Sequence, residues 1–144
     1  MVVRGSYCLC IRVASSKRIK VGALGFIAFP AGLYIYVGSA LSSLAPRLSR
    51  HLRTSRGQGR VAQWHVDYLL RSPGVDIEEI WATDWAVRME CELSSEVAAK
   101  GTPIPHFGSG DCDCPSHLYR VEGCGFLKKL GLKKVDLRKL VTSS

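Results

Sequence analysis

Alternating apolar and polar or aromatic positions predict strands over Val3–Val13, Leu33–Val37, Asp76–Trp81 and His117–Val121. Between the first two, Ile19–Phe29 holds two short apolar runs broken by Gly22 and Gly25. That pattern predicts a small ribbon leading into the turn Phe29-Pro30-Ala31-Gly32. Gly38 and Ser39 read as the end of the second main strand, and Ala40–Leu52 as a helix with Pro46 in its early part, where a proline costs least if it falls within the first turn. Trp64, Val66, Leu69 and Leu70 suit a short buried helix over Gln63–Leu70. Met89, Leu93 and Val97 form the apolar stripe of a longer one over Val87–Lys100. The Gly-, Pro- and Asp-rich stretch Gly101–Cys114 reads as a loop, and Lys128–Leu140 as a basic amphipathic tail.

A chain of 144 residues with 47% apolar composition can bury one core, so residues 1–144 are expected to form a single domain. No run reaches the roughly 18 apolar residues of a membrane helix, and the start Met1-Val2-Val3-Arg4-Gly5-Ser6 has no signal-peptide pattern. A cytoplasmic protein with no membrane partner is expected.

Charge sharpens this picture. Residues 1–66 carry ten Lys/Arg and no Asp/Glu, whereas the remaining ten basic and twelve acidic residues nearly cancel. Arg47, Arg50, Arg53, Arg56 and Arg60 are the densest part of the excess. A one-sided field of this kind concentrates a polyanion, which makes nucleic acid the leading partner; a solubilising face is the plainer reading.

Candidate chemistry gathers in the same half. Tyr7 and Tyr36 lie on two strands, and Arg47 and His51, four apart, share one face of the helix that follows. Tyr34 has the same strand parity as Tyr36, so either phenol can face a site there. Hydrolysis of a phosphodiester needs an activated water and a cation for the equatorial oxygens. Arginine clamps phosphate in a bidentate way that lysine does not match. A phenol, with an ordinary pKa near 10, needs nearby positive charge to act as a base. Arg47, His51 and a metal ion on Glu90 would provide it. Arg50, Arg53, Arg56 and Arg60 are expected to meet the nucleic-acid backbone. His65 and Tyr68, three apart, suggest a second polar cluster, for which the plainer reading is a structural helix with Asp67 paired to an arginine.

Gly5-Ser6-Tyr7, Tyr36-Val37-Gly38, Arg47-Leu48-Ser49-Arg50-His51 and a later helix with Glu90 resemble the GIY-YIG nuclease superfamily. The segments 31–40, Trp64-His65-Val66-Asp67-Tyr68-Leu69-Leu70 and 108–114 are similar to an uncharacterised, largely archaeal branch of it, a domain of unknown function, over residues 4 to about 121. Residues 122–144 then form a basic C-terminal extension. The resemblance implies an α/β (α+β) fold, a small antiparallel sheet of about three main strands flanked by helices. The 29 residues from Tyr7 to Tyr36 require an inserted ribbon between the two motif strands. It implies a DNA endonuclease with Tyr7 as general base, Tyr36 as its partner, Arg47 on the scissile phosphate, His51 hydrogen-bonded within the cluster and Glu90 holding one divalent ion. Mg2+ or Mn2+ suits a site with a single carboxylate. The DNA substrate is structured or branched, with RNA as an alternative.

Six cysteines remain. Cys8 and Cys10 share one strand face and read as small core residues, with a disulfide open to a thermophile. Cys112, Cys114 and His117 suggest zinc, with a fourth ligand borrowed from Cys91 or Asp111. Two cysteines one residue apart chelate a tetrahedral ion poorly, so a rigid turn or a redox-sensitive pair is the favoured expectation. Two rival readings follow: a non-catalytic nucleic-acid-binding module, and a zinc or redox accessory protein built on that loop.

Overall fold

The structure is a computed structural model. It describes residues 5–40, 44–57, 62, 64–83, 90–108 and 114–138, with Glu90 described by its backbone alone. The elements run β1 (Gly5–Val13), β2 (Lys17–Lys20), β3 (Phe26–Phe29), β4 (Gly32–Ala40), α1 (Leu44–Ser55), α2 (His65–Leu70), β5 (Val75–Thr83), α3 (Glu90–Ala98), β6 (Gly101–Pro103), β7 (Leu118–Val121) and β8 (Lys133–Lys134). Short 3-10 helices cover Gly22–Leu24 and Gly125–Leu130.

A six-stranded antiparallel sheet in the order β6-β7-β4-β1-β5-β8 forms the centre, and β2 and β3 make the separate ribbon between β1 and β4. The expected antiparallel sheet with an inserted ribbon is present, wider than three strands. β4 does not stop at Gly38. Its last three residues pair with Tyr7, Ser6 and Gly5 of β1, and this ladder carries the strand through to Ala40. The helix is correspondingly displaced, and Pro46 falls third in α1, where its missing N–H has no helical acceptor to lose. α3 is described from Glu90 on; residues 87–89 of the expected helix lie outside the described residues.

The strict side-chain alternation of β1 sorts two cores onto opposite faces of the sheet. Tyr7, Leu9 and Ile11 face α1, α2 and the ribbon. Cys8 and Cys10 face Leu93 and Val97 of α3, together with Leu127 and Leu132 of the C-terminal segment. A helix as short as α3 does not persist alone in water. Burying Leu93 and Val97 contributes about 2 kcal/mol each, and this docking is what fixes it. The expected tail is not detached. It contributes Cys124, disulfide-bonded to Cys10 with a Cα separation of 6.6 Å, and β8, paired with Trp81 and Ala82 of β5. No described helix is long and apolar enough to cross a membrane.

Candidate active site around Tyr7 and His51

Tyr7 stands opposite Gly38 in the β1–β4 ladder. A Cβ on Gly38 would lie 2.6 Å from Tyr7 Cζ and Oη, so only glycine lets the phenol ring lie across β4. A Cβ on Gly5 would meet Thr83 O at 1.7 Å. The two motif glycines therefore make room, one for the Tyr7 ring and the other for the backbone of β5.

α1 turns Leu44, Leu48, His51 and Leu52 toward the sheet. His51 rides on this apolar face and brings its Nε2 within 2.8 Å of Tyr7 Oη, with both residues buried. Burial pushes the imidazole down to about 3; the carboxylate of Asp67 opposes the shift, and Arg50 and Arg47 add to it. His51 is thus neutral at ordinary pH. This corrects the expectation that it adds positive charge beside the phenol, because desolvation outweighs the nearby carboxylate. Its Nδ1 has no hydrogen-bond partner among the described residues. With the ring proton on Nδ1, Nε2 accepts the Tyr7 hydroxyl.

The second tyrosine is Tyr36. Its ring stands edge-on to His51 at 6.2 Å and to Phe107 at 6.3 Å. Tyr34 instead donates its hydroxyl to Pro30 O at 2.6 Å and packs against Phe29 of the ribbon. Burial raises its pKa, and Arg120 partly offsets the rise. That settles which of the two phenols shares the cluster.

Arg47 donates to Ser39 O at 3.2 Å and lies 4.6 Å above the ring of Trp64. Arg50 lies 4.3 Å above the same ring, and both its terminal nitrogens bond the two oxygens of buried Asp67 at 3.0 Å. Asp67 also accepts the backbone N–H of Trp64 at 3.0 Å, which caps α2. Arg50 was expected on nucleic-acid backbone. Its planar fork is filled by a carboxylate, so it braces α1 against α2, in line with the plainer reading of Asp67. Arg53 and Arg56 are exposed, and Arg60 lies outside the described residues.

Trp64 is the residue that the sequence reading placed only in a helix. Its ring touches His51 at 5.8 Å and carries both arginines. The available signal was the Trp64-to-Asp67 spacing, which marks a helix start and therefore a ring held at a fixed exit angle. Next to it, His65 Nδ1 accepts the Gly108 N–H at 2.8 Å and holds the loop that follows β6. Burial lowers the His65 pKa.

The remaining candidates separate. Glu90 is the first residue of α3, whose apolar stripe packs on the opposite sheet face; its carboxylate lies outside the described side chains. Cys112 lies outside the described residues, whereas the donor atoms of Cys114, His117 and Cys91 fall within 4.8 Å of one another. Cys8, buried as expected, has its thiol pushed up to about 12 by desolvation and is chemically quiet.

A family model described as "Domain of unknown function DUF123" matches residues 6–135. No curated protein matches the chain, and neither does any solved structure.

Proposed function

The chain belongs to the DUF123 family, and we propose that it is a metal-dependent DNA endonuclease of GIY-YIG type, acting on structured or branched duplexes. The observation that carries this reading is the 2.8 Å bond between Tyr7 Oη and the neutral imidazole of His51, with Arg47 one helical turn away. A neutral imidazole can take the phenol proton as the phenol takes one from water, a relay that a charged imidazole could not start. Arg47, held by Ser39 O and Trp64, would offer its remaining N–H donors to a phosphate oxygen. Phosphate beside Arg47 would offset the smaller, arginine part of the shift on His51, while burial remains its main cause.

Asp67, the carboxylate that the described cluster contains, has both oxygens on Arg50, so a divalent ion would need a ligand from outside that cluster. The resemblance assigns this role to Glu90, on a helix whose apolar stripe packs on the other sheet face and whose carboxylate lies outside the described side chains. Such an ion would lower the pKa of a bound water and neutralise phosphate charge.

The test is cleavage of linear duplex, four-way junction and RNA substrates with Mg2+ or Mn2+ present or chelated. Arg47→Ala should lower the rate about 10²–10³-fold with its circular dichroism spectrum intact, and Tyr7→Phe and Glu90→Ala should abolish turnover. One observation favours a second reading. Tyr7 is only 1% exposed, which suits a binding module with the same basic face. Salt-sensitive DNA binding with no cleavage of any substrate would establish that module and overturn the nuclease.

A further inference from the structure

We propose that Cys91, Cys114 and His117 form a zinc site that clamps the start of α3 to the turn before β7. This site is separate from the Tyr7 cluster and does not depend on the nuclease reading. Its three donor atoms come from two parts of the chain and lie within 4.8 Å of one another. Zn2+ with bonds of about 2.3 Å to sulfur and about 2.0–2.1 Å to nitrogen holds such donors roughly 3.5–3.8 Å apart. The contraction needed is about 1 Å, which side-chain rotation on a fixed backbone supplies.

The backbone is fixed. Ser94, one turn along α3 from Cys91, lies 2.6 Å from the Tyr119 hydroxyl and 2.7 Å from Ser116 O, the three sharing two hydroxyl protons, with Tyr119 Oη 2.8 Å from Ser116 O. The peptide between Cys114 and His117 is therefore tied to the helix by a buried polar network. On its other side, His117 N–H donates to Phe107 O and Val37 N–H donates to His117 O, both at 2.8 Å. The Cys114-Pro115-Ser116-His117 turn is thus anchored to α3, β4 and the loop after β6 at once. His117 is buried while Cys91 and Cys114 line a surface cleft with Ser95 and Ala98, an arrangement that lets an ion enter from solvent.

The donor chemistry is soft and charge-balanced. Two thiolates neutralise the dication, a neutral imidazole is the third donor and a water from the cleft would fill the fourth tetrahedral position, so little net charge is placed against the core. Loading releases the two thiol protons to solvent. The sequence-based objection to zinc was that Cys112 and Cys114 are too close to share an ion. Cys91 removes it by supplying the second sulfur from α3, and the site does not use Cys112. Because Cys91 follows Glu90 directly, the ion also fixes the backbone from which the proposed magnesium ligand projects.

Reduced protein stripped with a chelator and titrated with Zn2+ against a chromophoric competitor should take up one ion per chain. Cobalt-loaded protein should show a tetrahedral spectrum with a sulfur-to-cobalt band, reduced to roughly half in Cys91→Ser and in Cys114→Ser. Those variants and His117→Gln should bind Zn2+ at least about 100-fold more weakly. Cys124→Ser, which disrupts the separate Cys10, Glu79 and Cys124 group, should leave uptake unchanged. No uptake by the reduced wild-type chain overturns the proposal without reliance on any variant. So does uptake that survives Cys91→Ser, or a Cys91–Cys114 disulfide as the sole reaction of the pair. DNA cleavage plays no part in these readouts, so failure here and failure of the nuclease reading are distinguishable.

Discussion

The two faces of the central sheet use opposite chemistry to hold the same strands. On the α1 side, a buried phenol and imidazole bond each other, and a buried carboxylate takes Arg50, which reaches in from the surface. On the α3 side, sulfur dominates, with the Cys10–Cys124 disulfide and the Cys91, Cys114 and His117 group. Neighbouring residues of β1 feed both, Tyr7 to one face and Cys8 and Cys10 to the other. A strand with period two can thus support a phenol–imidazole cluster and sulfur cross-linking back to back, with neither set of groups in the other's way.

The contrast can be broken by mutation. Asp67→Ala should have the largest effect on stability. It leaves Arg50, three-quarters covered, without its carboxylate and should cost about 3 kcal/mol in urea unfolding, together with loss of DNA affinity as Trp64 shifts. Cys124→Ser should cost about 2–3 kcal/mol, because the bond spans 114 residues of sequence, yet leave DNA binding and cleavage rates unchanged. A change in cleavage would mean that the faces are coupled. Next in size is a pH effect confined to the α1 face. The folded His51 pKa lies at about 3, below its usual 6.5, so the unfolded chain binds the extra proton between those values. Stability should be fully present above about pH 6.5 and fall by about 1 kcal/mol per pH unit as pH drops toward 3, a slope that His51→Gln flattens. The smallest effect belongs to exposed Arg53 and Arg56. Replacing either with Ala should reduce the salt dependence of DNA binding by about one counterion without altering stability.

Periodicity made β5 and α1 legible, because each has a wet and a dry face, whereas β1 and β4, buried on both faces, and the short α2 stand out as apolar runs. β6 was hidden for a physical reason. Gly101 reads as a breaker, yet a Cβ there would strike Arg120 O at 2.6 Å, so the glycine is what lets this strand approach β7. β8 is two lysines, with no pattern to detect until β5 is in place. At the site, Tyr7, Tyr36, Arg47 and His51 were named from spacing and do converge. Trp64 stacking and the capture of Arg50 by Asp67 depend on how α1 crosses α2, which no local pattern encodes. The charge on His51 was misread for a related reason. Four residues from Arg47 looks exposed in a helical repeat, but the same repeat places His51 among Leu44, Leu48 and Leu52.

The outer strands of the sheet have a consequence for behaviour in concentrated solution. β6 has three residues and ends in Pro103, and β8 consists of exposed Lys133 and Lys134. Neither border offers a run of open amide groups long enough to template a neighbouring chain, and lysine and proline are themselves poor hosts for such pairing. Copies of this protein crowded together would therefore stay individually folded, and any assembly through these two borders has to be built from side-chain surfaces and not by extending the sheet.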